Sequence, residues 1–165
     1  MIYIISMHKV KIIAVGRIKE RALSMLIDEY TKRLGRYCAI EIIEIANESI
    51  SARESDAGII KHQLAEAERI MGRIRAGSYV TALDMSGQSV NSIEFSQKLN
   101  TNTGKYVESI FIIGGSHGLH PDVLTHVNYT WSISELTFPH QLVRLILLEQ
   151  LYRAFKIINN ETYHK

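Results

Sequence analysis

Three stretches of the chain gather residue types that can do chemistry. The first is Gly114-Gly115-Ser116-His117-Gly118-Leu119-His120, where adjacent glycines let a ligand approach the backbone closely and two imidazoles stand three residues apart. The same glycines could merely turn the chain. The second is Ser132-Ile133-Ser134-Glu135-Leu136-Thr137-Phe138-Pro139-His140-Gln141, whose hydroxyls and backbone amides suit a polar, uncharged ligand such as an adenosine moiety. The third is the C-terminal region, Tyr152-Arg153-Ala154-Phe155-Lys156 and then Glu161-Thr162-Tyr163-His164-Lys165. Tails normally fray, yet this one ends in an aromatic, a titratable imidazole and a cation.

Several chemistries fall away. The glycine stretch is neither a dinucleotide fingerprint nor a phosphate loop, because no Gly-Lys-Ser/Thr follows it, so a nucleoside triphosphate is not indicated. His117, His120 and His140 have no cysteine or carboxylate partner at metal spacing, so no metal is expected. Gly114-Gly115-Ser116-His117-Gly118 has the Gly-x-Ser-x-Gly spacing, but Ser116 lacks an identifiable acid partner, which argues against a serine nucleophile. Cys38, the one cysteine, reads as a small buried hydrophobe and fits a reducing compartment, the cytoplasm.

The elements that must position these groups alternate. Val10–Val15 is a β-branched run ended by Gly16, and residues 20–34 place Leu23, Leu26, Ile27, Tyr30 and Leu34 at helical spacing, with Gly35 suited to the position just past the helix end. Ile40–Ala46 is a second strand. Ser51-x-x-Glu54 resembles a capping box for a long helix carrying Ile60, Leu64, Ala67, Met71 and Ile74, closed by Gly77. Tyr79–Asp84 is a third strand, Asn91-x-x-Glu94 caps a short helix with Phe95 and Leu99, and Glu108–Ile113 and Asn128–Ile133 are the fourth and fifth strands. Pro139, at the first helical position, opens a helix to about Asn159. Strands alternating with helices predict a largely parallel sheet covered on both faces, an α/β/α sandwich. Ligands of such sheets bind beyond the carboxyl ends of the strands, where the first two stretches lie.

At 165 residues the chain is about one domain long, with no repeat or linker and no apolar run long enough for a membrane span. Residues 1–7 are apolar, but their positive charges follow rather than precede them, so they do not read as a signal peptide. Net charge is only +2, which gives no global argument for nucleic acid. Its distribution is uneven: residues 1–38 hold eight Lys or Arg against three acids, a patch that either meets phosphates or is an ordinary solvated face. The last helix is apolar on more than one side, as expected if one side covers the sheet and another meets a second subunit.

Taken together, Ile112–Leu119, Leu136–Gln141, Glu149–Ile157 and the terminal Tyr163-His164-Lys165 closely resemble the RlmH family of bacterial knotted (SPOUT superfamily) methyltransferases, which act on N3 of a pseudouridine in 23S ribosomal RNA. The similarity runs from about His8 through Lys165, one domain, and includes Val15–Lys19 and Tyr30–Leu34; residues 1–7 read as a leader, with Met7 a candidate start. The resemblance implies a homodimer acting on 23S rRNA within the ribosome, with a C-terminal trefoil knot that forms an S-adenosylmethionine pocket. Carried over by position, the cofactor contacts are Leu83, Gly114, Ile133, Ser134, Glu135, Leu136, Thr137 and Phe138. Removing the imide proton of pseudouridine calls for a base, for which His164 and Tyr163 are candidates by chemistry, while Arg153 could hold a phosphate or stabilise the developing anion. A knotted enzyme acting on transfer RNA and a non-catalytic ribosome-binding factor are the competing readings.

Overall fold

The computed structural model describes residues 7–48 and 53–163. Five strands, β1 (Lys9–Val15), β2 (Ala39–Ile45), β3 (Tyr79–Gln88), β4 (Ser109–Ile113) and β5 (Tyr129–Trp131), form one sheet in the order β2-β1-β4-β3-β5. Every pairing is parallel, with Ile12 opposite both Ile42 and Phe111, and Leu83 opposite both Ile113 and Trp131. β4, at the centre, is buried along its whole length, as a parallel strand covered on both faces must be.

Helices α1 (Arg21–Leu34), α3 (Ser92–Asn102) and α5 (His140–Ile158) cover one face, and α2 (Asp56–Met71) and α4 (Pro121–Thr125) the other. Ile27, Leu34, Phe95, Leu99, Leu147, Leu148 and Leu151 meet Val10, Ile12, Phe111 and Trp131 on the first face; Ala67, Ile70 and Val123 meet Ile13, Val80, Ile110 and Ile112 on the second. The crossovers from β1 to β2 and from β3 to β4 step one way along the sheet and use the first face. Those from β2 to β3 and from β4 to β5 step the other way and use the second. All four therefore share one hand, the outcome that strand twist imposes on parallel connections.

The expected α/β/α sandwich is present; its punctuation differs in places. Asn91 and Glu94 form the predicted capping box on α3. Ser51 lies outside the described residues, and α2 is capped by Ser55, whose hydroxyl accepts from the Gly58 N–H at 3.1 Å. That helix stops at Gly72, because Gly77 belongs to the turn before β3 and has φ +82°. Gly35 is itself the C-cap of α1, right-handed at φ −57°, so its place does not depend on glycine's left-handed freedom. Pro139 is the N-cap rather than the first helical residue: its ψ of 133° is extended, and its carbonyl starts the ladder by accepting from Leu142 and Val143. β3 continues past Asp84 to Gln88 through an irregularity in its pairing with β5. α4, unanticipated, is five residues long. Cys38 is buried and its thiol is pushed up to about 12 by that burial, so it is the inert hydrophobe the sequence suggests.

One buried charge ties the layers together. Arg144 on α5 is 1% exposed. Its Nη1 donates to Glu44 Oε1 of β2 at 2.6 Å, and its Nη2 donates to the carbonyl of Gly16, just beyond β1, at 2.9 Å. The same Glu44 oxygen accepts from the Ile18 N–H at 3.2 Å, so one carboxylate and one guanidinium fix the path of the chain leaving β1. Replacing Arg144 with alanine leaves a cavity and an unpaired carbonyl. Glu44, more than a third exposed, can rehydrate. Arg144→Ala is therefore expected to cost ~3 kcal/mol, the lower end for a broken buried pair. Urea denaturation checks this, and a loss below ~0.5 kcal/mol would contradict the clamp.

Candidate functional site

β3 and β5 leave the sheet side by side, and their carboxyl ends frame an apolar slot. A Cβ on Gly87 would stand 2.6 Å from the backbone of Thr130 and Trp131, so only glycine lets the end of β3 run this close to β5. The Trp131 ring, 4.4 Å from that of Phe95 and nearly parallel to it, is held as a rigid wall. The slot, about 110 Å³, is lined by Leu83, Ile133, Ser134, Leu136, Thr137 and Phe138, six of the eight residues expected to contact a cofactor. Glu135 and Gly114 are not among its lining residues. Met85, Trp131 and Val143 also line it. Their sequence signal was adjacency to Leu83 and Ile133 for the first two, whereas Val143 comes from the turn of α5 facing the slot.

The loop after β5 holds itself in shape. The Ser132 hydroxyl donates to the Ser134 carbonyl at 3.1 Å, and the Ser134 hydroxyl accepts from the Leu136 N–H at 3.0 Å. Leu136, 70% exposed, forms an apolar lip. Apolar walls with a few hydroxyls and backbone groups fit a planar heteroaromatic ring with polar edges. At about 110 Å³ the slot takes one ring system of a ligand rather than all of it.

Gly114 ends β4. The chain then turns back on itself: the Gly118 N–H donates to the Gly115 carbonyl at 3.1 Å, with Gly118 at φ +77°. A Cβ on Gly114 would lie 2.8 Å from the Gly118 carbonyl carbon and 3.1 Å from Leu119, so the turn closes only over a bare α-carbon. Arg17, Lys19 and Arg21 border the same end of the sheet, because they follow Gly16 and the Lys19 N–H donates to Gln141 Oε1 at 3.2 Å. Two other members of the basic N-terminal third are engaged elsewhere: Lys11 pairs with Glu108 at 3.2 Å, and Arg33 with Glu29 at 2.8 Å.

The third stretch sits apart from the slot. Arg153 pairs with Glu149 and lies 4.8 Å from the Tyr163 ring, whose hydroxyl donates to Glu149 Oε1 at 3.2 Å. Tyr152 packs edge-on against Tyr163 at 5.0 Å. Burial first, then the contact with Tyr30 and the charge of Glu149, raise the Tyr163 phenol well above the usual range. It stays protonated at neutral pH, a state suited to donating a hydrogen bond or stacking rather than taking a proton. His164 lies outside the described residues. Val143 touches the slot and Arg153 stands ten residues further along α5, so the two regions are about 15 Å apart along one helix. Within one chain the structure brings Arg153 and Tyr163 together but not to the slot.

A family model described as "Predicted SPOUT methyltransferase" matches residues 8–164, and the chain belongs to that family. It is therefore a methyltransferase of a family that generally takes the methyl group from S-adenosylmethionine. The fold is shared with "The structure of a probable methylase family protein from Haemophilus influenzae Rd KW20", at a TM-score of 0.51 and 14% identity over 95% of this chain and 70% of that one. At that identity the likeness speaks for the fold alone. Among the described residues no helix is long and apolar enough to cross a membrane.

Because a side chain at Gly114 would push into the turn, Gly114→Ala is expected to weaken S-adenosylmethionine binding by about tenfold or more. Calorimetric titration measures it, and unchanged affinity in a folded Gly114→Ala variant would remove the turn from the cofactor site.

Proposed function

We propose that the chain methylates N3 of a pseudouridine in 23S ribosomal RNA, using S-adenosylmethionine, as a homodimer on the assembled ribosome. The supporting observation is the coincidence of two independent features. Of the segments resembling the RlmH family, Leu136–Gln141 supplies Leu136, Thr137 and Phe138 to the sheet's carboxyl-end slot, and the slot's shape suits an adenine ring between Trp131, Leu136 and Phe138. On this reading the segment from the glycine turn through α5 is threaded as a trefoil knot, with Gly114 and Glu135 meeting parts of the cofactor outside the apolar slot.

The separation of slot and tail along α5 favours a dimer. A second copy packed against the apolar sides of α5 can bring its Arg153, Tyr163 and His164 to the first copy's slot, from which the first copy's own Arg153 and Tyr163 stand apart. Bound S-adenosylmethionine supplies an electrophilic methyl on a sulfonium. Attack by the pyrimidine N3 lone pair forms the N–CH3 bond, breaks S–CH3 and releases neutral S-adenosylhomocysteine, and the imide proton goes to a base. His164 fills that role, Tyr163 offers its protonated hydroxyl and ring face, and Arg153 steadies the anion or a phosphate. Arg17, Lys19 and Arg21, which form no ion pair among the described residues, lie at the same sheet end as the slot, and two such sets in a dimer supply phosphate contacts that a net charge of +2 does not.

Ribosomes from a strain lacking the gene, incubated with purified protein and S-adenosylmethionine, are expected to gain one methyl on the pseudouridine-containing fragment, read by mass spectrometry. No added methyl would sink the reading, and methylation of transfer RNA instead would move it to a related enzyme. A thermal shift on adding the cofactor separates either enzyme from a binding factor that has no cofactor. His164→Ala is expected to lower kcat by about 10²-fold or more, the usual range for a general base; an undiminished rate excludes the imidazole from that role.

A further inference from the structure

A second hollow, of about 290 Å³, opens at the same end of the sheet but on the other side of β4 from the slot. β1 and β4 are neighbours, yet β1 feeds α1 on one face and β4 feeds α4 on the other. Divergent connections of this kind leave a crevice at the strand ends, where α/β proteins hold ligands. Its floor is Gly115, with α2 on one side and His140 above Gly16 on the other.

The lining is polar, and much of it is unused by the protein. Glu66 is 7% exposed; its Oε1 accepts from the Glu48 N–H at 3.0 Å, while its Oε2 accepts no hydrogen bond among the described residues. The side chains of Asn47, Ser116, His117 and His140 also line the hollow without a hydrogen-bond partner among the described residues. Gln63 is committed, donating to the His117 carbonyl at 2.6 Å and so holding the turn against α2. That second oxygen of Glu66 opens onto the hollow, where a donor on a ligand can reach it. The idle groups do not form a metal cage, since no set of three such ligands converges among the described residues. His140 is held below its ordinary value by burial, then by the Arg144 charge, with Glu66 opposing, so at neutral pH its ring is uncharged and offers a lone pair.

We propose that this hollow seats the pyrimidine ring of the substrate, with Glu66 Oε2 accepting the N1–H by which pseudouridine differs from uridine. The assignment rests on the methyltransferase reading above. The ring's two carbonyl oxygens cannot bond to a carboxylate. N3 must face the methyl donor, whose slot is lined by Phe138, two residues before the His140 that lines this hollow. The remaining donor on the ring is N1–H. Uridine has a C5–H at the corresponding edge, which would displace water from the carboxylate without donating to it, and a site built for a hydrogen bond rejects the analogue lacking it far more strongly than shape alone can. Glu66 is thus a specificity-determining residue.

The test uses the cofactor-bound protein and two nucleosides. Pseudouridine is expected to shift the amide resonances of Gly115 and Ser116, and N1-methylpseudouridine, which lacks the donor, to leave them in place. Glu66→Gln keeps the acceptor for Glu48 but turns an N–H toward the ring; it is expected to lower kcat/KM on ribosomes by roughly 10²-fold without changing S-adenosylmethionine affinity. Equal shifts from both nucleosides, no shift from pseudouridine, or an unchanged kcat/KM in Glu66→Gln would each overturn the assignment. Wild-type methylation of ribosomes decides the methyltransferase reading separately, so the pocket can fail while that reading stands.

Discussion

Arg144 is a buried cation on a helix face that otherwise presents Leu147, Leu148, Leu151, Ala154 and Phe155, and its two bonds fix α5 against the carboxyl ends of β1 and β2. A guanidinium suits the task because its planar fork reaches a carboxylate and a carbonyl at once, which an ammonium on a flexible stem would not do in a fixed direction. The carboxylate comes from β2 and the carbonyl from the exit of β1, so α5 is indexed against two strands rather than merely packed on them. His140, one turn earlier on α5, is thereby held over Gly16, where a Cβ would stand 3.4 Å from its Nε2. Arg144 Nε finds no partner among the described residues, so the clamp is held by the two terminal nitrogens alone.

From this clamp the two hollows follow. The corner at Phe138-Pro139-His140 divides them: Phe138 faces the apolar slot and His140 the polar crevice. Trp131, stacked on Phe95, walls the first, and Glu66 on α2 lines the second. An apolar slot and a hydrogen-bonding hollow on either side of one short segment suit a methyl transfer that depends on alignment of two bound groups. Two glycines make the arrangement possible by their lack of a side chain. Gly114 lets the turn after β4 close over itself, and Gly87 lets β3 cross near β5.

The strands were legible because β-branched runs such as Val10–Val15 and Ile110–Ile113 admit few other structures, and the Asn91–Glu94 box announced α3. α4 was missed because five residues cannot display a helical period, although its signal was present: His120 accepts from the Asp122 N–H at 3.2 Å, and Pro121 occupies the first turn. The far end of β3 was missed because Asp84-Met85-Ser86-Gly87 has neither alternation nor β-branching, and its extended form is imposed by β5. Segments near one another in sequence, such as 132–138, pointed to the slot directly. The crevice was invisible for the opposite reason: Asn47, Glu66, Ser116 and His140 come from four separate segments that only the alternating crossovers bring together. Nor does a lone arginine among leucines reveal whether it lies buried or snorkels to water.

The clamp also bears on how the molecule comes together. Its two bonds join residues 100 and 128 positions apart, and a pairing of that span is reached only after the intervening chain has lost much of its freedom. Strands β1 and β2, with α1 between them, can associate early through local contacts. The β1–β4 pairing and the docking of α5 both join segments of comparable separation, so neither is a local event. The carboxyl end of the sheet, where both hollows open, thus depends on contacts between segments far apart in the chain, and a chain lacking the docked α5 would carry its core strands without the corner between the hollows.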